Sequence, residues 1–163
     1  MSQTIPQTHT ATLPGDAPAG LVKVRSKVLS VLTTERLELV DLSDDIRSFA
    51  GATGITEGQA HISSLHTTAG LFVNEWQEAL LADMKEAIAR LVPQNTYYRH
   101  NDSALSDCDR CNGDAHLRNM VIGQSVSVPL AHGGLVLGKW QRVILAEFDG
   151  PSERQVFVQV LGI

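Results

Sequence analysis

Apolar and charged side chains alternate near the start of the chain. Between Val22 and Val28 the valines alternate with lysines and an arginine, and Leu37 and Leu39 repeat the pattern. A period of two places alternate side chains on opposite faces of a β-strand. The two segments therefore predict a two-stranded meander with one face in solvent.

A helical period replaces this alternation in three places. Ser43 and the two aspartates after it predict the start of a short helix that ends near Thr53, because hydroxyl and carboxylate groups stabilise free amides at a helix N-terminus. Residues 80–91 carry apolar side chains three and four positions apart, and Pro93 ends that run. Another short helix is predicted at residues 114–122.

The remaining apolar runs are short and bounded by turn residues, which is typical of strands. They predict strands at residues 59–65, 71–73, 125–130, 135–137, 143–148 and 156–160. Together, the elements predict an α+β fold with a mostly antiparallel sheet and helices packed against it.

Length and composition limit the size and the partners of this fold. A chain of 163 residues with 43% hydrophobic content supports one core, and residues 1–20 are too polar to join it. We therefore expect a flexible N-terminal tail at 1–20 and a single domain at 21–163. A net charge of -5 without a basic stripe argues against nucleic acid as a partner. No apolar run approaches the ~20 residues that span a bilayer, so we expect a soluble, cytoplasmic protein without a membrane partner.

Three loops concentrate side chains that bind metals or anions. His66, His100 and His116 lie in different loops, and three imidazoles are a common set of ligands for a divalent metal ion. Their spacing is equally compatible with three separate, hydrogen-bonded histidines. Cys108 and Cys111 form a CxxC pair without a second such pair, and we expect reduced thiols there.

Carboxylates and cations add further candidates. Glu75 and Asp83 are eight residues apart and are candidate ligand contacts, although periodicity alone favours an ordinary solvated or capping acid at Asp83. Candidate phosphate contacts are Arg118, Lys139, Arg142 and Arg154. No glycine-rich phosphate loop is present in the sequence, which disfavours classical nucleotide binding.

Eight motifs in order resemble those of the YjbQ-like family. They cover roughly residues 21–163 and are His66-Thr67-Thr68-Ala69, Asn74-Glu75, Asp83, Tyr98-x-His100-Asn101-Asp102, Cys111-Asn112-x-x-Ala115-His116-Leu117, Gly123-Gln124-Ser125, Leu137-Gly138-x-Trp140-Gln141 and Asp149-Gly150-Pro151. The chain departs from the family pattern at Ser152, where an arginine is usual, and at Lys139, where a small hydroxyl residue is common.

The resemblance implies a sandwich-like subunit with one long and two short helices, assembled as a homotrimer with its pocket near subunit boundaries. It also implies secondary thiamine-phosphate synthase activity, the condensation of hydroxymethylpyrimidine diphosphate with thiazole phosphate. On this view the catalytic residues are His66, Thr67, Glu75 and Asp83. The contacts to a small phosphorylated substrate are Asn74, Asn112, Arg118 and Arg154, and the metal ligands are His66, His100 and His116.

Two other functions use the same residues. One is a trimeric binding protein for a metal or small anion, and the other is a metal-dependent phosphate-ester hydrolase with metal-bound water. The metal itself stays open, because three imidazoles suit zinc whereas diphosphate departure is usually assisted by magnesium.

Overall fold

The computed structural model describes residues 20–163. The strands in this range are β1 (Lys23–Leu32), β2 (Glu38–Asp41), β3 (Gly58–Ser64), β4 (Ala69–Glu75), β5 (Ser125–Ala131), β6 (Gly134–Leu135), β7 (Gln141–Glu147) and β8 (Glu153–Gly162). The helices are α1 (Ser43–Ala52), α2 (Glu78–Leu91) and α3 (Gly113–Ile122), with one 3-10 turn at Arg99–Asn101. The tail predicted at residues 1–20 lies, apart from Gly20, outside the described residues.

The strands form two antiparallel sheets. The larger sheet has the order β1-β8-β3-β5-β6, and the smaller sheet has the order β2-β7-β4. Alternate residues of β8 point inward, and Val156, Val158 and Val160 are fully buried. They belong to the same core cluster as Leu71 of β4 and Leu145 of β7. The two sheets therefore face one another across a shared core.

The opposite face of the smaller sheet is covered by α2 and α3. Ile144 and Ala146 of β7 form a second core cluster with Ile88 of α2 and Ala115 of α3. Because β7 is covered on both faces, its residues from Val143 onward are all buried. This run of buried residues continues past the strand to Asp149, so it brings two carboxylates into the interior.

The predicted fold is confirmed, with one error in strand pairing. The structure is a single α+β domain with mostly antiparallel sheets, one helix of 14 residues and two of 10 residues. The predicted meander is wrong, because β1 pairs with β8 and β2 pairs with β7 in the other sheet. No helix within residues 20–163 is long and apolar enough to cross a membrane.

Candidate functional site

His100 and His116 meet at the N-terminal end of α3. Their ring centroids are 4.9 Å apart and the ring planes are nearly perpendicular, at 84°. His100 belongs to the 3-10 turn, and His116 lies in the first turns of α3. Two of the three predicted metal-ligating histidines are therefore brought together.

Gly113 makes this approach possible. A Cβ atom at Gly113 would lie 2.8 Å from Cβ of Tyr98 and 3.0 Å from Oδ1 of Asn101. Instead, the Gly113 amide donates a 2.8 Å hydrogen bond to Asn101 Oδ1. The 3-10 turn thus lies directly against the start of α3, which places His100 beside His116.

Asn112 holds the His100 ring through a second hydrogen bond. Asn112 Nδ2 donates to Oδ2 of Asp149 at 2.7 Å, so its Oδ1 faces Nε2 of His100 at 3.2 Å. A carboxamide oxygen only accepts hydrogen bonds, and Nε2 of His100 must therefore carry a hydrogen. The other ring nitrogen, Nδ1, is left for a ligand.

Asp149 in turn belongs to a network of charges whose carboxylates are buried. Arg36 bridges Asp149 and Asp114 at 3.0 and 2.9 Å, and Arg110 pairs with Asp149 at 3.0 Å. With the Arg118–Asp114 pair, the network contains three guanidinium groups and two carboxylates. Its excess of positive charge favours anions at the adjoining surface.

A cavity of about 660 Å³ opens beside the histidine pair. It is lined by Tyr97, Tyr98, Arg99, His100, Gly113, His116 and Leu117. This size lies within the usual range for small-molecule sites. Imidazole and guanidinium groups donate hydrogen bonds to phosphate, and phenol rings offer flat faces to a ring. We call this volume the histidine cavity.

Tyr97 is held at the edge of the histidine cavity by Asp102. The Tyr97 hydroxyl donates a 2.9 Å hydrogen bond to Asp102 Oδ2, which raises the pKa of the phenol. The backbone amide of Ala104 and then the Tyr97 hydroxyl lower the pKa of Asp102. Tyr97 is therefore a neutral phenol that faces an ionised carboxylate.

His66 lies in a different network, at the junction of β7 and β8. Its Nε2 accepts a 2.8 Å hydrogen bond from the Gln155 amide, and its Nδ1 lies 3.4 Å from Nη1 of Arg154. Arg154 Nη2 donates at 2.6 Å to Glu147, a fully buried carboxylate that also accepts from Thr33 at 3.0 Å. This pair ties the smaller sheet to the larger one.

Burial lowers the pKa of His66, and the Arg154 guanidinium lowers it further, against an opposing effect of Glu147. The ring is thus neutral near neutral pH. With the Nε2 lone pair used by Gln155 and Nδ1 beside a cation, His66 offers a metal ion no free nitrogen in this arrangement.

The three-histidine metal centre is therefore not formed within the described part of one chain. Among residues 20–163, no three side chains of His, Cys, Asp or Glu lie together as metal ligands would. Cys108 and Cys111 are free thiols, and Cys108 Sγ lies 3.9 Å from Asn112 Oδ1. Binding of a divalent ion stays a prediction.

The predicted carboxylates lie apart from the histidine cavity of the same chain. Ala69 pairs with Glu147, whereas Glu75 at the other end of β4 pairs with Gln141. Glu75 is six positions along β4 from Ala69, which is roughly 20 Å at about 3.3 Å per residue. Asn74 and Asp83 are both exposed. None of these predicted residues lines the cavity.

The predicted phosphate contacts of Arg118 and Arg154 are not supported by their positions. Arg118 is 3% exposed, donates through Nε and Nη2 to the carbonyl oxygen of Val92, and pairs with Asp114. Both guanidinium groups are committed to internal partners. The cation that lines the cavity is Arg99, which sequence reasoning did not single out.

Thr67 and Asn112, by contrast, lie close to the histidine pair. Thr67 lines a second cavity of about 440 Å³, which shares His116 with the first. Asn112 orients His100 through Nε2 and does not itself line the cavity. Sequence reasoning assigned no role to the carboxylates Glu147, Asp149 and Asp114, although Asp149 begins one of the family motifs. Acids within or beside a buried apolar segment would have indicated Glu147 and Asp149, because such groups must be paired.

Comparison with known proteins identifies the family. A profile described as "UPF0047 protein YjbQ-like" matches residues 27–163. The chain belongs to the YjbQ-like family. UPF0047 proteins of Methanothermobacter thermautotrophicus and Archaeoglobus fulgidus are 34% identical over 141 residues and 37% identical over 135 residues. These alignments cover 86% and 82% of this chain, and 94% and 98% of the relatives.

Solved structures of similar proteins share the fold. A YbjQ-like protein of unknown function from Sulfolobus solfataricus P2 is 34% identical with a TM-score of 0.81, over 87% of this chain and 99% of that one. A hypothetical protein from Aeropyrum pernix K1 is 33% identical with a TM-score of 0.78, over 85% and 99%.

Proposed function

We propose that the chain is a transferase of the thiamine-phosphate-synthase type and that the histidine cavity carries the reaction. In that condensation the thiazole nitrogen forms a bond to the methylene carbon of the pyrimidine. The bond from this carbon to the diphosphate oxygen breaks, and diphosphate leaves with the electron pair. The site must therefore bind two rings and stabilise a polyanion.

One observation carries the proposal: His100, His116 and Arg99 line the same cavity as Tyr97 and Tyr98. The Arg99 guanidinium donates to the diphosphate, the free imidazole nitrogens suit a metal ion or, when protonated, the diphosphate, and the phenol rings suit a heteroaromatic ring. The net positive network behind Asn112 adds to the attraction for the leaving group. A divalent ion, zinc or magnesium, would be held by His100 and His116 with diphosphate oxygens and would neutralise charge on that group.

The proposal includes a homotrimer in the cytoplasm with the pocket near subunit boundaries. Its support is a distance within one chain. The family motifs include both the histidines and the carboxylates Glu75 and Asp83, yet the fold places these carboxylates far from the histidine cavity. Glu75 lies at the far end of β4 from the His66 network, and Asp83 lies on the exposed side of α2. In an assembly, these carboxylates reach the histidine cavity from a neighbouring copy of the chain.

A second candidate is a binding protein for a small anion, which would bind in the same cavity without a chemical step. It is favoured by the lining of the cavity, which holds Arg99, two histidines and two tyrosines but no carboxylate from residues 20–163. Both candidates require anion binding at the histidines. Only the transferase requires Glu75 or Asp83.

Titration calorimetry with pyrophosphate tests the anion site. Replacing Arg99 by Gln, or His116 by Ala, is expected to weaken binding roughly ten- to hundredfold, the usual value of a charged hydrogen bond. His132→Ala is the matched control, because His132 is exposed in the β5–β6 turn. Equal pyrophosphate affinity in the parent and the three variants would show that the histidine cavity is not the anion site.

Hybrid assemblies test the shared pocket. A Glu75→Gln protein and a His116→Ala protein, each inactive alone, are mixed, dissociated and reassembled. If a pocket draws on two copies, some pockets in the hybrids contain neither substitution and activity returns. Activity that stays absent, with hybrids verified by native mass spectrometry, would place all the residues of a site in one chain or in none.

A further inference from the structure

A second cavity, of about 440 Å³, adjoins the histidine cavity and shares His116 with it. We call it the asparagine cavity. It is lined by Thr67, His116, Asn119, Met120, Gly123 and Gln124. Apart from the imidazole, these groups are uncharged at every pH, whereas the histidine cavity contains Arg99. The two compartments thus differ in the ligand chemistry that they select.

Asn119 in the wall of the asparagine cavity has an acceptor without a partner. The side chain is 3% exposed, and among the described residues its Oδ1 has no hydrogen-bond partner. Its Nδ2 donates only a long bond, 3.5 Å, to the carbonyl oxygen of His66. A buried acceptor without a donor is costly and calls for a specific explanation.

The backbone of β4 closes one side of the Asn119 carboxamide. A Cβ atom at Gly70 would lie 2.8 Å from Oδ1 of Asn119, so the carboxamide packs against a residue with no side chain to donate. Oδ1 itself is inaccessible in this arrangement, so a donor in the cavity reaches it only after the carboxamide turns. Because the 3.5 Å bond is at the long end of the hydrogen-bond range, the carboxamide can turn toward such a donor.

The other walls favour a flat, neutral group. Met120 is 73% exposed and offers a polarizable thioether, which contacts aromatic rings favourably. His116 adds the face or edge of an imidazole, and Gln124 and Thr67 add exposed polar groups at the rim. A ring with an exocyclic amino group would meet Oδ1 with its N–H and Met120 with its face.

We infer that the asparagine cavity is a subsite for an uncharged, amino-substituted heteroaromatic ring, with Asn119 Oδ1 as the acceptor for its amino group. The inference rests on the proposed function in placing the phosphorylated group of the same ligand in the histidine cavity. His116, on the wall of both cavities, then lies where the ring and the phosphates are joined.

The test is an NMR titration of the full chain with 4-aminopyrimidine and, as the matched ligand, unsubstituted pyrimidine, followed at the backbone amide of Gly123, which lines the cavity in the parent and in every variant. The parent protein is expected to prefer 4-aminopyrimidine by roughly five- to tenfold, the value of one good hydrogen bond. Asn119→Leu removes the preference. Met120→Trp narrows the exposed side of the cavity and weakens both ligands, while the control Val121→Trp, one residue away and also exposed, weakens neither.

Three results would overturn the inference: no binding of either ring, equal binding of both rings by the parent, or a preference that Asn119→Leu retains together with affinities that Met120→Trp leaves unchanged. If Asn119→Leu does not fold, the affinities of Met120→Trp provide the test, because Met120 is exposed and its replacement is compatible with folding. Pyrophosphate binding, measured in parallel, reports on the histidine cavity alone. Loss of the ring site with intact pyrophosphate binding overturns only the inference, and the reverse result overturns only the proposed function.

Discussion

Asn112 Nδ2 donates a 2.7 Å hydrogen bond to Oδ2 of Asp149, and both side chains are buried. This bond fixes the direction of the Asn112 carboxamide, whose oxygen then holds Nε2 of His100. A carboxylate just beyond β7 thereby orients an imidazole on a distant loop. Carboxylates commonly orient histidines in functional sites, here through an intervening amide.

Removing this amide is expected to destabilise the protein and to release the His100 ring. Asn112→Ala leaves Asp149 without one donor and His100 without its acceptor, so we expect a loss of roughly 1–3 kcal/mol in the free energy of unfolding. Urea denaturation measures it. Asn95→Ala, at an exposed position, is the matched control and is expected to stay within about 0.5 kcal/mol of the parent. Equal effects of the two substitutions would contradict the role of Asn112.

A glycine pair tests the close approach of the 3-10 turn to α3. Gly113→Ala places a methyl group 2.8 Å from Cβ of Tyr98, and overpacking of this kind typically costs about 1–3 kcal/mol. We expect it also to separate His100 from His116 and weaken pyrophosphate binding. Gly51 lies in α1, where an added Cβ atom would meet no other described segment within 4 Å. Gly51→Ala is therefore expected to stabilise the protein by up to about 1 kcal/mol. If Gly113→Ala changes neither the stability of the protein nor its pyrophosphate affinity, the close contact between the 3-10 turn and α3 is not needed.

The sequence pattern predicted the elements better than their partners. Apolar spacing placed the long helix at residues 80–91, and α2 spans Glu78–Leu91. Alternation also found β1 and β2, yet it assigned them to one meander. Period-two patterning determines which faces of a strand are buried, but it contains no information on a partner more than one hundred residues away, as β8 is from β1.

Ser43 shows how a correct boundary can have a different cause. It was predicted to cap α1, and the helix does begin there, but its hydroxyl accepts a hydrogen bond from the Val143 amide instead. The site shows the same limit. Motif order singled out His100, Asn112 and His116, whereas the role of Asp149 depends on two loops that meet only in the folded chain.

The Glu147–Arg154 pair is expected to hold the two sheets together. Glu147→Gln keeps the shape of the side chain but leaves Arg154 as a buried charge without its counter-ion, and breaking such a pair typically costs about 3–5 kcal/mol. Urea denaturation is again the measurement. Glu153→Gln makes the same change at an exposed position six residues further on. A cost no larger than that of Glu153→Gln would contradict the structural role of the pair.

His66 is expected to titrate below the ordinary histidine pKa of about 6.5. Since the folded pKa is depressed by burial and by Arg154, the folded state binds fewer protons than the unfolded state. The contribution of His66 to stability is complete above the ordinary pKa, and it is lost as the pH falls through the folded pKa. Nitrogen-15 NMR of the imidazole rings measures the midpoint, with His66→Gln to assign the resonance. A His66 midpoint at or above the ordinary value would contradict the account.

The assay of product formation tests the central claim most directly. Purified parent protein, His116→Ala and the exposed-site control His132→Ala receive hydroxymethylpyrimidine diphosphate, thiazole phosphate and a panel of divalent ions. We expect thiamine phosphate from the parent and the control, and a loss of about hundredfold or more in His116→Ala. Thiamine phosphate that is absent, or formed equally by all three proteins, would contradict the claim that the histidine cavity is the site of this condensation. Orthophosphate released without thiamine phosphate would identify a hydrolase in its place.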